Sequence, residues 1–244
     1  MIDKNINYKV FEDILITNSD DESYHKISNF YNKKPFPSYS VNDDKSSILE
    51  LGDKNLIAKQ FKKIIGFNKK VLEVGSGTSQ LSNYLAIGNN NKITALDSAL
   101  NSLLLGKNFS KKNDIHNIQY VQGDLTTKIF QEETFDYIWC NGVLHHTRDP
   151  RLGFCEIIKT LKKDGFVLLG LYNKYGRFRT VFRRFVYKYI SKKLIPIMDP
   201  ILRTLYKNKD LNEDKIKAWI QDQYEHPIES LHTFDEVLRW FREE

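Results

Sequence analysis

The chain has 244 residues, of which 41% are hydrophobic and 28% are charged. This length suits one full α/β domain with modest additions, and no apolar run approaches the length of a membrane crossing. The N-terminus is polar and lacks the basic-then-apolar order of a signal peptide. Cys140 and Cys155 fit two reduced thiols better than a disulfide. We therefore predict a cytoplasmic protein.

The net charge of +6 is concentrated in one segment. Residues 172–193 carry eight lysines and arginines and no acid, so this segment is +8 and the rest of the chain sums to −2. A surface that binds nucleic acid broadly needs basic residues across it. We therefore expect no general nucleic-acid surface and treat the basicity as a local feature.

The first 46 residues are polar with scattered aromatic side chains. We predict a helical and extended N-terminal arm over 1–46, because Pro35 and Pro37 disfavour a helix in its second half. The aromatic residues around these prolines, including Tyr39, can fold over a bound ligand. An ordinary connection packed on the domain is an equally good interpretation.

Residues 47–171 form the predicted core, in which helix and strand patterns alternate. The first helical pattern, over 47–65, has an apolar face made of Leu56, Ile57, Phe61, Ile64 and Ile65. Five apolar runs follow as strand candidates, at 70–74, 92–96, 117–121, 135–140 and 165–171. Helix candidates separate them at 79–87, 98–113 and 151–163. The alternation predicts a mainly parallel, doubly wound, Rossmann-like α/β sheet.

The remaining segment, 172–244, is predicted to be a helical addition on the substrate side. Its first part, 176–193, has the pattern of a cationic amphipathic helix. Such a helix can make a peripheral contact with an anionic membrane, its aromatic side chains toward the lipid. In the commoner arrangement the apolar side packs on the domain and the charged side is solvated. A last helix is predicted over 234–242.

The most informative motif follows the first core strand. Residues 71–82 read VLEVGSGTSQLS, so a buried strand ends near Glu73 and breaks into Gly75, Ser76 and Gly77. Glycine lets the backbone approach a ligand where a side chain would collide with it. On its own, such a turn is a weak signal.

Two acids at the ends of the next strands extend this motif. Asp97, followed by Ser98, can accept hydrogen bonds from both hydroxyls of a ribose, or it can cap the following helix. Asp124 follows Gly123 at the end of the third strand. Taken alone, Asp124 is either a ligand-binding carboxylate or a turn aspartate.

These loops together resemble those of the class I S-adenosylmethionine-dependent methyltransferases. The resemblance covers roughly 55–171 and implies that S-adenosylmethionine is the cofactor. It implies that Glu73 lies near the ammonium and sulfonium groups and Asp97 at the ribose. It also implies that Asp124 accepts from the adenine amino group, beside the backbone of Leu125.

The fourth strand leads into NGVLHH, residues 141–146, which is similar to one bacterial subgroup of this family. The resemblance implies that Asn141 borders the methyl donor and that His145 and His146 lie on the acceptor side. An alcohol or phenol acceptor must lose a proton, and histidine suits that task near neutral pH. His145 or His146 is our candidate base; alternatively, His145 packs in the core and His146 bonds the backbone.

Substrate choice in this fold is usually set by additions to the core. We therefore expect Tyr39 from the arm and Tyr172, Tyr224 and His226 from the last segment on the substrate side. His226 and His232 show no clear ligand spacing, so we predict no metal site. The predicted reaction is methyl transfer to an oxygen of a small or lipid-like molecule.

Two features depart from the family pattern. Ser79 stands where the third glycine of the turn is usual, which concerns how closely the next helix packs. No strand-like run after residue 172 supplies the last two strands of the family's sheet, so we expect the sheet to lack them. The hypothesis that follows is a chain truncated at its C-terminus, with an exposed sheet edge.

Two other functions share part of this pattern. A nicotinamide-dependent dehydrogenase also opens with a glycine-rich turn and a later acid, but Gln80 stands at its third glycine position. A non-catalytic binding protein can keep the S-adenosylmethionine loops. Preference for S-adenosylmethionine over NAD, and accumulation of S-adenosylhomocysteine, distinguish the three.

Overall fold

The computed structural model describes residues 1–33, 35–207 and 209–244. It divides into two compact units, Met1–Gly170 together with Glu244, and Leu171–Glu243. The first unit contains both the N-terminal arm and the strand–helix alternation.

One seven-stranded sheet forms the centre of the first unit. Its strands are β1 Tyr8–Phe11, β2 Ile14–Thr17, β3 Lys70–Val74, β4 Lys92–Asp97, β5 Ile118–Gln122, β6 Phe135–Asn141 and β7 Leu161–Gly170. Their order is β1-β2-β5-β4-β3-β6-β7, and every neighbouring pair is parallel except β1 and β2. The predicted Rossmann-like, mainly parallel sheet is confirmed.

The strand order places a ligand-binding crevice at β3. The chain steps outward from β3 through β4 to β5, and then returns to the other side of β3 with β6 and β7. In open α/β sheets, ligands bind at the carboxyl ends of the strands where the order reverses. The loops after β3, β4, β5 and β6 meet at this edge.

The prediction of helical pieces and an extended segment for the arm is wrong for residues 8–17, which form the β1–β2 hairpin. Glu12 and Asp13 connect the strands with φ of 46° and 53°, as a type I′ turn requires. Asn or Gly is the usual residue at such positions, so Glu-Asp does not indicate the turn. The arm's helix is α1, Glu22–Lys33.

The other helices of the first unit are α2 Lys45–Lys54, α3 Leu56–Ile65, α4 Gln80–Ala86, α5 Leu100–Lys112 and α6 Pro150–Ile158. The single helix predicted over 47–65 is two helices, because the extended Asn55 ends α2 and caps α3. The helix predicted over 151–163 ends earlier, and β7 begins at Leu161. In α3, Phe61 and Ile65 are buried, but Leu56, Ile57 and Ile64 are exposed, contrary to the predicted face.

The second unit is helical. It contains α7 Phe178–Tyr189, α8 Ile195–Met198, α9 Pro200–Tyr206, α10 Lys209–Ile220 and α11 Phe234–Glu243. Its small core includes Val186, Ile195, Leu202, Ile216 and Tyr224. In the described part of this unit, the only strand-like pairing is a bridge between Asn173 and His232. Among the described residues, no helix is both long enough and apolar enough to cross a bilayer.

Candidate cofactor site

The turn after β3 depends on two glycines. Gly75 and Gly77 have φ of 66° and 53°, in the left-handed region that favours glycine. A Cβ at Gly75 would lie 2.3 Å from Cγ2 of Val143, and one at Gly77 would lie 2.3 Å from the carbonyl oxygen of Phe36. Glycine is therefore required here by close packing as well as by backbone conformation.

The carboxylate of Asp97 joins this turn to the end of β4. Its Oδ2 accepts a hydrogen bond from the amide of Gly77 at 2.7 Å, and its Oδ1 accepts from the amide of Ala99 at 2.8 Å. Burial raises the pKa of Asp97, while these amides oppose that shift. Each carboxylate oxygen has more than one acceptor site, so Asp97 can hold the turn and still accept from a ligand.

Glu73 lies under the same turn and is largely neutral at pH 7. Its side chain is 5% exposed and accepts a hydrogen bond from the Ser82 hydroxyl. Burial raises the pKa of Glu73 to about 8, and the hydrogen bond from Ser82 only partly offsets this. The family resemblance implies a negative charge at Glu73 near the ammonium and sulfonium groups, but in the structure burial favours the protonated form. A cation bound beside Glu73 would restore the ionised form.

Asp124 is tied to the N-terminal arm. Its Oδ2 accepts from the Ser19 hydroxyl at 2.8 Å, and its Oδ1 accepts from the amide and hydroxyl of Thr126 at 2.9 and 2.7 Å. Gly123 is packed just as closely, because a Cβ there would lie 2.5 Å from Oγ1 of Thr17. The segment that follows β2 therefore covers the end of β5, where the sequence analysis placed Gly123, Asp124 and Leu125.

The second half of the arm lies on the glycine turn. Thr78 donates from its hydroxyl to the carbonyl of Pro37 at 2.5 Å, and Tyr39 donates to the carbonyl of Thr78 at 2.8 Å. The Tyr39 ring stacks on Phe109 with centroids 4.6 Å apart. Tyr39, predicted on the substrate side, thus has its ring in the core and its hydroxyl on the turn. The described contacts give it a packing role.

Helix α1 supplies polar groups that the sequence analysis missed. Tyr24 is 9% exposed, and its hydroxyl makes no well-formed hydrogen bond to another described residue, although the side chain of Gln122 lies close to it. Burial, and then the nearby carboxylates of Asp124 and Asp97, raise the pKa of this hydroxyl. Ser28 donates to the carbonyl of Ser98 at 2.8 Å. A buried hydroxyl with so weak a protein partner, close to two proposed ligand-binding carboxylates, fits a site that receives a polar ligand.

Ser79 does not loosen the packing after the turn. It is fully buried with φ of 58°, and its amide donates to the carbonyl of Ser76 at 2.8 Å. The close approach is provided instead by Gly106 of α5, where a Cβ would lie 2.6 Å from the carbonyl oxygen of Thr78 and 2.7 Å from Cβ of Ser79. A glycine on the opposite helix thus replaces the third glycine.

The end of β6 brings Asn141 and the two histidines to the same edge of the sheet. Asn141 is exposed and packs against Gly170, where a Cβ would lie 1.8 Å from its Oδ1. His145 is fully buried and His146 is 5% exposed, in a short 3-10 helix with ring centroids 4.3 Å apart. The role of either histidine as a base stays a prediction.

The other three predicted substrate-side residues lie in the second unit. The guanidinium of Arg177 lies 3.6 Å from the ring centroid of Tyr172, and the buried Tyr224 donates its hydroxyl to Asp199. His226 is buried and contacts the carbonyl of Ile228 through Nδ1. A groove of about 520 Å³ in this unit is lined partly by Tyr224 and His226. Their part in acceptor binding stays a prediction.

The part of the chain from β3 to β7 matches a known protein family. Residues 72–169 match the family model described as a methyltransferase domain. Over these residues the chain carries a methyltransferase domain. The family recognised from the sequence and its cofactor, S-adenosylmethionine, are thereby confirmed. The subgroup likeness of residues 141–146 is addressed by none of these matches.

The relatives of this methyltransferase domain are distant. A demethylmenaquinone methyltransferase of Listeria welshimeri is 28% identical over 154 residues, which is 62% of this chain and 62% of that protein. The chain thus spans less than two thirds of the length of the curated relatives it matches first.

Two solved structures share the domain's fold. PKMT2 from Rickettsia typhi has a TM-score of 0.57 at 18% identity, over 76% of this chain and 41% of its own. The [4+2]-cyclase SpnF has a TM-score of 0.50 at 17% identity, over 66% of each chain. The cyclase shows that this fold also serves reactions other than methyl transfer, so the reaction must be argued from the site.

Proposed function

We propose that this protein transfers the methyl group of S-adenosylmethionine to an oxygen of a small or lipid-like acceptor. The observation that supports this best is the bond of 2.7 Å between the Gly77 amide and the Asp97 carboxylate. It holds the glycine turn against the end of β4, within the 72–169 segment that matches the methyltransferase domain. Methyl transfer needs mainly alignment of an activated donor with its acceptor, which a rigid turn can provide.

In this proposal each loop binds a different part of the cofactor. Asp97 and Ser98 serve the ribose, and Asp124 with the backbone of Leu125 serves the adenine. The cationic methionine part lies toward Glu73. The glycine turn and Asn141 complete the donor side, and the buried Tyr24 hydroxyl lies near both carboxylates.

Within the lipid-like class we favour a quinol as the acceptor. The support is the name of the Listeria relatives, demethylmenaquinone methyltransferase, over 62% of the chain. Loss of a proton from a ring hydroxyl activates that oxygen and the adjacent ring carbon, so one base near the acceptor serves either site of methylation. We propose His146 for this task, since His145 has no exposed surface.

Calorimetric titration of S-adenosylmethionine tests whether the proposed site binds the methyl donor. We expect micromolar binding to wild type and a loss of about tenfold or more in Asp97→Asn, because the amide cannot accept through both atoms. Asp164→Asn is the matched control, since Asp164 is an exposed acid on β7. Equal binding by wild type and Asp97→Asn would contradict the proposed site, as would tighter binding of NAD.

Methyl transfer to the proposed acceptor needs a separate assay. Labelled S-adenosylmethionine and a reduced demethylated naphthoquinone should yield S-adenosylhomocysteine and a labelled product, whose analysis distinguishes oxygen from carbon methylation. His146→Asn should lower turnover by about a hundredfold and leave cofactor affinity unchanged. Cofactor binding without turnover on any acceptor would favour the non-catalytic alternative or a cyclase-like reaction.

A further inference from the structure

Helix α7 is packed with two of its arginines, Arg183 and Arg184, toward the rest of the second unit. Glu229 is almost fully buried and accepts from Arg177 and Arg184, each at 2.8 Å. Arg183 is half-buried and donates to the hydroxyl of Thr180 at 3.0 Å and to the carbonyl of Met198 at 3.4 Å. Two basic residues of the helix, and Arg177 just before it, are therefore used inside the second unit. The expectation that the apolar side packs while the charged side is solvated is wrong for this helix.

The apolar side of α7 faces outward as a consequence. Six large side chains of α7 and its end are between 42% and 74% exposed: Phe178, Val181, Phe182, Phe185, Tyr189 and Ile190. Most of them recur at helical spacing, so they form one stripe, and Leu194 and Ile197, a few residues beyond the helix, are exposed as well. We call the six residues the aromatic face. A continuous exposed apolar surface of this kind usually marks an interaction site.

Exposed cations flank the aromatic face. Arg179, Lys188, Lys192 and Lys193 are exposed, and no acid occurs between 172 and 193. The ammonium of Lys192 lies 4.0 Å from Glu225 and that of Lys188 lies 5.2 Å from the centroid of Tyr189. Most of this charge is therefore left to attract an anionic partner at long range.

We propose that the aromatic face docks on the surface of an anionic lipid bilayer. Aromatic and aliphatic side chains together insert into the boundary between headgroups and acyl chains, and flanking lysines and arginines bind anionic headgroups. Val181 and Ile190 offer no stacking platform for bases, which disfavours single-stranded nucleic acid. A protein partner would satisfy the apolar stripe but gives no reason for the flanking charge.

This docking goes beyond the proposed methyl transfer and does not depend on it. The docking proposal is argued only from the exposed side chains and charges of the second unit. Sedimentation with vesicles measures docking without any methyl transfer. If the acceptor is lipid-like, docking would also bring the protein to the surface where that acceptor is dissolved.

The test is co-sedimentation of the full chain with vesicles. One set is phosphatidylcholine alone, and the other contains an equal part of phosphatidylglycerol. We expect binding to the mixed vesicles at low salt, weakened as salt rises, and at least about tenfold weaker binding to phosphatidylcholine. The double variant Phe182→Ser/Phe185→Ser should reduce binding about tenfold or more, and Lys188→Glu about fivefold.

Matched control variants test whether vesicle binding falls whenever any exposed aromatic side chain or any exposed positive charge is lost. Phe67→Ser removes an aromatic side chain that is 68% exposed in the first unit, and Lys63→Glu reverses an exposed charge there. Both should bind vesicles as wild type does, and thermal unfolding should show all variants folded.

Three outcomes would overturn the proposal. The first is no sedimentation with anionic vesicles at low salt. The second is equal sedimentation of wild type and the Phe182→Ser/Phe185→Ser variant. The third is a wild-type dimer that this double variant converts to monomer, without vesicle binding, which would assign the aromatic face to a second copy of the chain.

Discussion

The hydroxyl of Ser19 donates to the Asp124 carboxylate at 2.8 Å, although 105 residues separate them in the chain. Ser19 follows the β1–β2 hairpin, which pairs in parallel with β5 and so delivers it to the end of that strand. The same arm then places Tyr24 near Asp97 and Asp124, and Pro37 on the glycine turn. The N-terminal arm is thus a structural part of the candidate cofactor site.

Removal of the Ser19 hydroxyl should weaken cofactor binding. Ser19→Ala leaves Oδ2 of Asp124 without its protein donor, so the carboxylate is less well oriented for the adenine. We expect affinity for S-adenosylmethionine to fall about threefold to tenfold, the value of one ordinary hydrogen bond, because the carboxylate itself is kept and only its orientation is lost. Calorimetric titration measures this, with the exposed Ser46→Ala as control. Unchanged or tighter binding would show that Ser19 does not orient Asp124 for a ligand.

Replacement of Tyr24 by phenylalanine should separate stability from binding. The buried hydroxyl makes no well-formed bond and only a weak contact with Gln122, so its removal should leave the free energy of unfolding unchanged or slightly higher. Affinity for S-adenosylmethionine should fall about fivefold to tenfold if this hydroxyl bonds the cofactor. Chemical denaturation and calorimetry of the same samples measure both, and Tyr8→Phe on β1 is the control. A large stability loss would instead reveal a structural bond.

The strands were predictable because their signals are local. The runs at β3, β4 and β6 are mostly apolar, as strands buried on both faces are, and β4 and β6 end in the polar residues Asp97 and Asn141. The meeting of Gly77 with Asp97 follows once parallel strands are assumed. The hairpin at 8–17 was missed because Glu12 and Asp13 are poor indicators of their turn.

The orientation of α7 could not be predicted from its own sequence. A helical pattern reveals two faces but not which one the fold buries. That choice depends on Glu229, which lies 52 residues after Arg177 and binds both it and Arg184. Buried ion pairs between segments so far apart leave no periodic signal. The pattern therefore predicted an amphipathic helix but left its inner face open.

A methyl group at Gly106 should disturb the glycine turn. In Gly106→Ala the new Cβ would lie 2.6 Å from the carbonyl oxygen of Thr78, and backbone cannot retreat as a flexible side chain can. We expect a loss of about 1–3 kcal/mol in the free energy of unfolding, beyond the gain in helix propensity, and weaker cofactor binding. Gly176→Ala is the control, since a Cβ there has no atom closer than 3.7 Å. Unchanged stability in Gly106→Ala would show that α5 can shift.

Burial of Glu73 should make the fold less stable as pH rises. Its pKa is about 8 in the fold against 4.5 for the ordinary group, so between these values the folded chain binds the extra proton. The free energy of unfolding should therefore fall with pH, by up to about 1.4 kcal/mol per unit, over roughly pH 5 to 8. Glu73→Gln should remove this slope. Parallel slopes in wild type and Glu73→Gln would show that Glu73 ionises freely in the fold.

The same proton should be released when S-adenosylmethionine binds. The cofactor's sulfonium and ammonium groups, placed beside Glu73, favour its ionised form and lower its pKa. Affinity should then rise from pH 6 to about 8 and level off above the Glu73 pKa of about 8. The binding enthalpy at pH 7 should change with the ionisation enthalpy of the buffer. Glu73→Gln should bind more weakly, with no dependence on the buffer. Equal proton release by both proteins would place the cationic end of the cofactor away from Glu73.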